Sequence, residues 1–301
     1  MSGDNRGLQP ANARLSPSML LESLSAQSFR NLAGTAELAA GLNILTGENG
    51  QGKTNWLEAI AVLGSVGSFR TAKLVETIRF GEEQASVTGS VRESREIVRE
   101  LRVAITPTTR AAYTNGKKDP IARYLGQLNV VVFNSDELEV VRGTPEARRR
   151  FLDEGIVSLH PPFVQVFADY GRVIRQKNSL LSQARDGEWP MEKTAEALQP
   201  WNEQLAKLAT RIHRGRVRFV ERLNEVLHKH LFGREELSIA YRSSLEGKGD
   251  LAAYEELIAE RLKLRIQAEL VSGHALIGPH RDDMELTFDG HDLRKFGSAG
   301  Q

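Results

Sequence analysis

Eight consecutive residues, Gly47-Glu48-Asn49-Gly50-Gln51-Gly52-Lys53-Thr54, combine three glycines with a lysine and a hydroxyl. Their spacing matches G-x-x-x-x-G-K-[ST]. Each residue type has a task in that pattern. The glycines let the backbone curl so that successive N–H groups point inward at an anion. Lys53 places a compact cation on β- and γ-phosphates. Thr54 offers a hydroxyl to Mg²⁺. A helix starting at this point adds the positive end of its dipole. The bland alternative is a chance match. A strand-like apolar run at residues 42–45 and a helical run from Lys53 to Leu63 flank the loop. That order favours a P-loop that holds a nucleoside triphosphate.

Other residues could also do chemistry. Pro200-Trp201 is expected to open a long helix reaching about Leu231. At 100° per residue, Lys207, Arg211, Arg214, Arg218 and Arg222 fall in one stripe. Leu205, Leu208, Ile212, Phe219, Leu223 and Val226 fall on the opposite side, with Arg216 out of place among them. The stripe reads either as a phosphate-tracking surface with salt-dependent DNA binding or as a solvated face paired with neighbouring acids. Arg148-Arg149-Arg150 stands on a short helix and reads two ways, as a DNA contact or as packing; Arg148 is the DNA-binding candidate and Arg149 the structural one. His213, His228 and His230 lack partners at ligand spacing and read against a metal site. In Gly278-Pro279-His280-Arg281-Asp282-Asp283 the Asp pair raises a catalytic reading. A turn that places His280 and Arg281 near the nucleotide or a lobe interface is preferred. No Ser/His/Asp hydrolase spacing stands out.

The elements that must position these groups change character along the chain. Residues 1–20 are polar, contain Pro10 and Pro17, and read as a loose tail. Short β-type segments are expected at residues 24–29, 85–91 and 97–105, with a turn at Asn115-Gly116. The continuous apolar run at residues 129–133 reads as a buried strand. Beyond it the texture is helical. Thr144-Pro145 opens a helix through residues 148–155. Pro161-Pro162 opens another from Phe163 to about Arg185, and Trp189-Pro190 breaks it. Residues 251–270 read as a further helix, and residues 284–288 as a strand with an Asp289-Gly290 turn.

Composition limits the classes. The 301 residues carry 40 Lys and Arg against 39 Asp and Glu, so a nucleic-acid partner must be argued from local patches. Cys is absent, which rules out disulfides and thiolate metal sites and fits a reducing cytoplasm. No apolar run approaches the ~18 residues of a membrane span.

Three blocks in order carry a family resemblance. The first is Phe29-Arg30-Asn31, the 47–54 loop, Leu57-Glu58-Ala59-Ile60 and Gly67-Ser68-Phe69-Arg70. The second is Asp136, Val140-Val141, Gly143, Pro145, Arg148-Arg149-Arg150 and Phe151-Leu152-Asp153. Two positions depart from the family's usual pattern: Ser135 stands where Pro is usual, and Thr144 where a smaller residue is. The third is the stretch from Gly278 to Asp283. Together they resemble the RecF family, bacterial recombination mediators with an SMC/ABC-type ATPase head.

The resemblance implies an α/β P-loop ATPase head with an inserted helical arm. The expected division is a tail at 1–20, a head lobe at 21–135, an arm at 136–270, and a second head segment at 271–301. It implies ATP and Mg²⁺ as ligands, with Arg30 near the phosphates. Ser298-Ala299-Gly300-Gln301 resembles the family's signature motif, with Ser298, Gly300 and Gln301 serving the γ-phosphate of a second copy in an ATP-dependent homodimer. It further implies binding of double-stranded and single-stranded DNA, work with RecO and RecR, help in loading RecA, and a cytoplasmic location. The family continues into a Walker B strand with acidic residues, so the sequence reads as a carboxy-terminally truncated form with an incomplete sheet, deficient in hydrolysis alone. Two rival readings are another SMC-like repair ATPase head and a non-hydrolysing remnant that binds DNA or a partner protein. The proline breaks speak against the long heptad-bearing coiled coil of the former.

Overall fold

The computed structural model describes residues 19–94, 96–228 and 236–296. The chain divides into two compact units between Val132 and Phe133.

The first unit is built on an antiparallel sheet. Its strands are β1 (Leu20–Phe29), β2 (Leu32–Glu37), β3 (Ala85–Arg92), β4 (Val98–Ile105), β5 (Arg110–Thr114) and β6 (Lys117–Asp119), in the order β2-β1-β3-β4-β5-β6. Alternation explains the pairing: every second residue of β3 is buried, so one sheet face must be covered. Helix α1 (Lys53–Ser65) covers it, burying Ala59, Val62 and Leu63. Gly89 permits the close approach, because a Cβ there would meet Leu63 at 2.4 Å and Leu21 at 2.8 Å. A short helix, α2 (Ile121–Tyr124), closes the face, with the Tyr124 hydroxyl donating to Leu63 O at 2.7 Å. Asn115 and Gly116 have φ values of 49° and 75°, which form the tight turn expected between β5 and β6.

Two expected strands do not form. Residues 42–45 have no strand partner, and Leu42 and Ile44 are 83% and 74% exposed. Residues 129–133 are likewise irregular, with Val131 95% exposed. A strand exists only by pairing, and among the described residues no strand flanks either run.

The second unit is mainly helical: α3 (Leu138–Arg142), α4 (Pro145–Leu159), α5 (Phe163–Asp186), α6 (Met191–Leu227), α7 (Tyr254–Leu264), α8 (Ile266–Ser272) and α9 (Leu293–Phe296). A small sheet joins them, β7 (Leu237–Arg242) pairing β8 (Asp283–Phe288), which pairs β9 (His291–Asp292). Asp289 and Gly290, with φ of 47° and 78°, make the expected turn. One core joins α5, α6 and α7 through Val166, Val173, Leu205, Ile212, Ile258 and Leu262. A second joins α4, α6 and the small sheet through Leu152, Val220, Ile239 and Met284.

Helix α6 corrects two expectations. It runs unbroken for 37 residues through Pro200 and ends at Leu227. A proline inside a helix costs ~3 kcal/mol. Leu198 and Leu205, both fully buried on either side of it, each return ~1.5–3 kcal/mol and hold the helix together. The expected single helix over residues 251–270 breaks at Arg265, where α7 gives way to α8.

An ion pair sits in this interior. Lys177 of α5 meets Glu269 of α8 at 2.7 Å, and both side chains are fully buried. Burial lowers the Lys177 pKa and the Glu269 charge opposes that fall. Glu269 also accepts from Leu276 N at 2.8 Å, and neighbouring Asn178 accepts from Ala275 N, so the pair anchors the segment leading to Gly278. Removing one partner strands the other in a dry interior, at ~3–5 kcal/mol. Lys177→Met should therefore lower stability by ~3–5 kcal/mol in chemical denaturation. Lys177→Met with Glu269→Gln, which keeps the acceptor for Leu276, should recover at least half of it. Equal stability of the single variant and the wild type would show that the pair is not a structural anchor.

Candidate functional site

The loop between residue 46 and α1 has the geometry of an anion cradle. Gly47, Gly50 and Gly52 take φ values of 144°, 85° and 96°, a left-handed region that side chains rarely enter. A Cβ on Gly52 would strike Asn31 Oδ1 at 2.7 Å, so this glycine is needed for space as well as for its dihedral. The loop closes on itself. Gln51 Oε1 accepts from Glu48 N at 2.9 Å, and Lys53 Nζ donates to the carbonyls of Gly47 and Glu48 at 2.8 and 2.7 Å. The main-chain N–H groups of Gly52, Lys53 and Thr54 have no hydrogen-bond partner among the described residues. They belong to the unsatisfied first turn of a 13-residue helix, where an anion is the natural partner. Thr54 is exposed and its hydroxyl makes no hydrogen bond among the described residues. That fits a hydroxyl ligand to a phosphate-bound Mg²⁺. No cluster of three His, Asp or Glu able to hold a metal occurs among the described residues.

Behind the loop lies Glu58, fully buried on α1. Arg30 forks onto it at 3.0 and 2.8 Å, Arg70 reaches it at 3.1 Å, and Ser68 donates at 2.6 Å. Arg30 itself has φ 51° and also donates to Glu76 O at 2.7 Å. Burial alone would raise the Glu58 pKa; the hydrogen bonds from Arg30 and Ser68 and the charges of Arg30 and Arg70 outweigh it, and the carboxyl lies below its ordinary value. A relay links this anchor to the loop. Arg70 donates to Asn55 Oδ1 at 2.6 Å, Asn55 to Asn31 Oδ1 at 2.7 Å, and Asn31 to Gly50 O at 3.0 Å. Arg30 is thus a neighbour of the cradle with three of its N–H groups engaged. The relay through Asn31 and Asn55 was not foreseen. The clue available was an acid inside the apolar run of α1, with arginines in the two segments beside it.

In the second unit the basic stripe lies on α6. Lys207, Arg211, Arg214, Arg218 and Arg222 are all exposed. None makes a side-chain hydrogen bond or ion pair among the described residues, although Glu221 and Glu225 are close in sequence. Arg216, out of place in the sequence, is buried and forks onto Asp153 at 2.9 and 3.0 Å. Burial works against its charge; Asp153 outweighs burial and raises the Arg216 pKa.

Arg148 corrects an expectation. It is buried, 2% exposed, and forks onto Asp283 at 2.7 and 3.0 Å, so it is not available as a DNA contact. Its position on the inner face of α4 and the cost of leaving Asp283 unpaired explain why. Burial would raise the Asp283 pKa, but Arg148 and Met284 N hold it below its ordinary value. Asp282 is also spoken for: Tyr241 donates its hydroxyl and Ser244 its N–H, while Arg149 donates to the Asp282 carbonyl at 2.9 Å. The Asp pair is a packed anchor with no free carboxylate oxygen. His280 lies between Tyr170 Oη at 2.7 Å and Ala275 O at 3.1 Å, and burial, aided by Arg281 and Arg149, pushes its pKa down to about 4. His213 stacks on Tyr254 at 4.0 Å. Ser298, Gly300, Gln301 and His230 lie outside the described residues.

No protein-family model matches the chain. It is 38% identical over 292 residues to the DNA replication and repair protein RecF of Thermosynechococcus vestitus, covering 94% of this chain and 76% of that protein. The corresponding protein of Heliobacterium modesticaldum is 33% identical, with 94% and 77% covered. The chain belongs to the RecF family. Two solved structures of the recombination mediator protein RecF in the RecFOR pathway share its fold. The RecF-ATP structure gives a TM-score of 0.85 at 29% identity over 96% of this chain and 78% of that one. The RecF-ATPrS structure gives 0.86 at 28%, over 95% and 78%. The α/β head fold expected from the RecF resemblance therefore stands. No helix among the described residues is long and apolar enough to cross a membrane.

The Glu58 anchor has a pH signature. Its folded pKa is depressed from 4.5, so its contribution is full above that value and is lost as pH falls through the folded pKa. Glu58→Gln should cost ~1–3 kcal/mol at pH 7. Urea denaturation of both proteins from pH 7 to pH 3 should show the gap closing on acidification. A gap that stays constant with pH would mean Glu58 is not held as a charged anchor.

Proposed function

We propose that this chain binds ATP with Mg²⁺ and, in doing so, binds DNA as a recombinational repair and replication maintenance protein. The observation that carries the reading is the set of unpaired N–H groups of Gly52, Lys53 and Thr54, with Lys53 alongside. RecF structures with ATP and ATPrS, similar along nearly the whole chain, support the nucleotide. Gly47, Glu48, Asn49, Gly50 and Gln51 form the turn of the cradle, and Thr54 holds the Mg²⁺. Arg30 acts from behind, by fixing the helix that carries the loop.

DNA is the second ligand. Lys207, Arg211, Arg214, Arg218 and Arg222 form an unpaired cationic row, and counterion release is what such a row gains from a polyphosphate. Residues 21–135 serve as the head lobe, 136–270 as the arm and 271–301 as a second head segment. RecO, RecR and RecA as pathway partners, and a homodimer in which Ser298, Gly300 and Gln301 serve the second copy's γ-phosphate, rest on family membership. So does a cytoplasmic location.

Lys53→Ala should weaken ATP binding by about 10- to 100-fold in calorimetry, since charge-assisted bonds of ~1.5–3 kcal/mol are lost. Its melting temperature should stay within about 1 °C, because Lys53 supports only the loop. Unchanged ATP affinity would remove the site assignment. For DNA, Arg218→Ala and Arg222→Ala should each reduce the slope of log K against log salt by about 0.9 on a blunt duplex. Slopes equal to the wild type's would leave the row without a nucleic-acid role.

A further inference from the structure

The phosphate loop meets Asn31 at two points. Asn31 Nδ2 donates to Gly50 O at 3.0 Å, and a Cβ on Gly52 would stand 2.7 Å from Asn31 Oδ1. Asn31 belongs neither to the loop nor to α1; it sits in the turn between β1 and β2. Its amide is engaged at both ends, since Asn55 Nδ2 donates to Asn31 Oδ1 at 2.7 Å, and Arg70 donates to Asn55 Oδ1 at 2.6 Å. The direction of this chain is forced. A guanidinium only donates and a main-chain carbonyl only accepts. Asn55 therefore turns its oxygen to Arg70 and its NH₂ to Asn31. Asn31 turns its oxygen to Asn55 and its NH₂ to Gly50. Each donor polarises the next toward the loop.

The bond to Gly50 O fixes a peptide plane. The peptide joining Gly50 to Gln51 is planar and trans, so its C=O and N–H point in opposite directions. With the carbonyl tied to Asn31, the Gln51 N–H faces away from Asn31. It faces Glu48 O at 3.4 Å, the same carbonyl that Lys53 Nζ reaches at 2.7 Å. The N–H thus lies on the cation's side of the loop, and a contact that long leaves it largely unsatisfied. Gly50 does little to hold the plane itself. It has no side chain and a φ of 85°, so rotation about its bonds meets little resistance. A carbonyl turned into the cradle would set its negative end against a phosphate.

We propose that Asn31 is a positioning residue for phosphate: by tying the Gly50 carbonyl outward it aims the Gln51 N–H at the bound anion, adding a main-chain donor to those of Gly52, Lys53 and Thr54. The inference rests on the reading that this loop holds a nucleoside triphosphate. It deepens that reading by naming a residue outside the eight-residue motif that keeps the cradle facing its ligand. Asn55 acts through Asn31, in series.

The test titrates the full chain with ATP and with inorganic pyrophosphate, which offers phosphates and nothing else. It follows the Gln51 main-chain amide by NMR in protein labelled with 15N-glutamine. In the wild type both ligands should move that resonance downfield. Asn31→Ala should weaken both by the same factor, about 10- to 100-fold, as one hydrogen bond to a charged group is lost. The downfield shift should vanish, and the melting temperature should stay within about 3 °C. Asn55→Ala should weaken both ligands by less, and the double variant should bind no worse than Asn31→Ala, because the two act in one series. Asn31→Ala with unchanged affinity for both ligands, while Lys53→Ala weakens them, would overturn this inference and spare the nucleotide reading. A loss confined to ATP would place Asn31 against the nucleoside and overturn it as well. A large fall in melting temperature with the Gln51 shift intact would make Asn31 a residue of the fold alone. If Asn31→Ala does not fold, Asn55→Ala carries the test, and a full Gln51 shift at full pyrophosphate affinity would overturn the inference. Unchanged binding in Lys53→Ala would remove the nucleotide reading and this inference with it.

Discussion

Glu58 is a carboxylate with no access to water, and the nucleotide end of this molecule is arranged around that fact. An isolated buried charge costs several kcal/mol, so it must be surrounded by cations and donors or be protonated. Here Arg30, Arg70 and Ser68 supply them. Each belongs to a different part of the chain from α1: Arg30 to the turn after β1, and Ser68 and Arg70 to the segment after the helix. The carboxylate therefore fixes three segments at once. Because Arg70 continues through Asn55 and Asn31 to Gly50 O, the same anchor sets the loop's shape. A loop that must meet phosphates with its backbone cannot be held by its own side chains alone. It is held from behind, leaving its N–H groups free in front.

The second unit obeys the same constraint with more charges. Arg148 with Asp283, Arg216 with Asp153, and Tyr241 and Ser244 on Asp282 hold α4, α6 and the stretch from Gly278 to Asp283 together. Forked guanidinium–carboxylate pairs impose direction as well as attraction. They fix the start of β8 against two helices where apolar contacts alone would permit sliding. Lys177 and Glu269, both fully buried, tie α5 to α8.

The legible and the hidden parts of this structure differ for physical reasons. The phosphate loop was readable because its chemistry is local: glycines, lysine and threonine act within eight consecutive residues. Helices α4 and α5 were readable from their prolines and apolar spacing. Residues 42–45 and 129–133 misled, since an apolar run states a wish for burial but not whether a partner strand is present. Pro200 misled in the other direction: its local cost is smaller than the burial of the turns on both sides. The ion pairs were hidden because their partners lie far apart, 135 residues for Arg148 and Asp283. Still, a charged residue inside an apolar stripe is a visible sign of such a pair. Arg216 showed it openly. Lys177, in register with the buried Tyr170, Val173, Leu181 and Ala184 on α5, carried the same sign unread.

Helix α6 places both fates of arginine side by side. Arg216 is buried and neutralised, and its charge is spent on holding the fold. The five residues of the stripe are neither. Like charges three or four residues apart on a helix destabilise it by ~0.2–0.5 kcal/mol per pair. Four adjacent pairs from Lys207 to Arg222 thus carry a standing cost of about 1–2 kcal/mol at low salt. Glu221 and Glu225, three residues after Arg218 and Arg222, offset part of it, although neither makes an ion pair with the row among the described residues. A face built for stability alone would alternate its signs, as a few substitutions could achieve. A row that stays uniformly positive over about four turns is instead at its lowest energy with a polyanion against it. The repulsion in the free helix then becomes part of the free energy gained on contact.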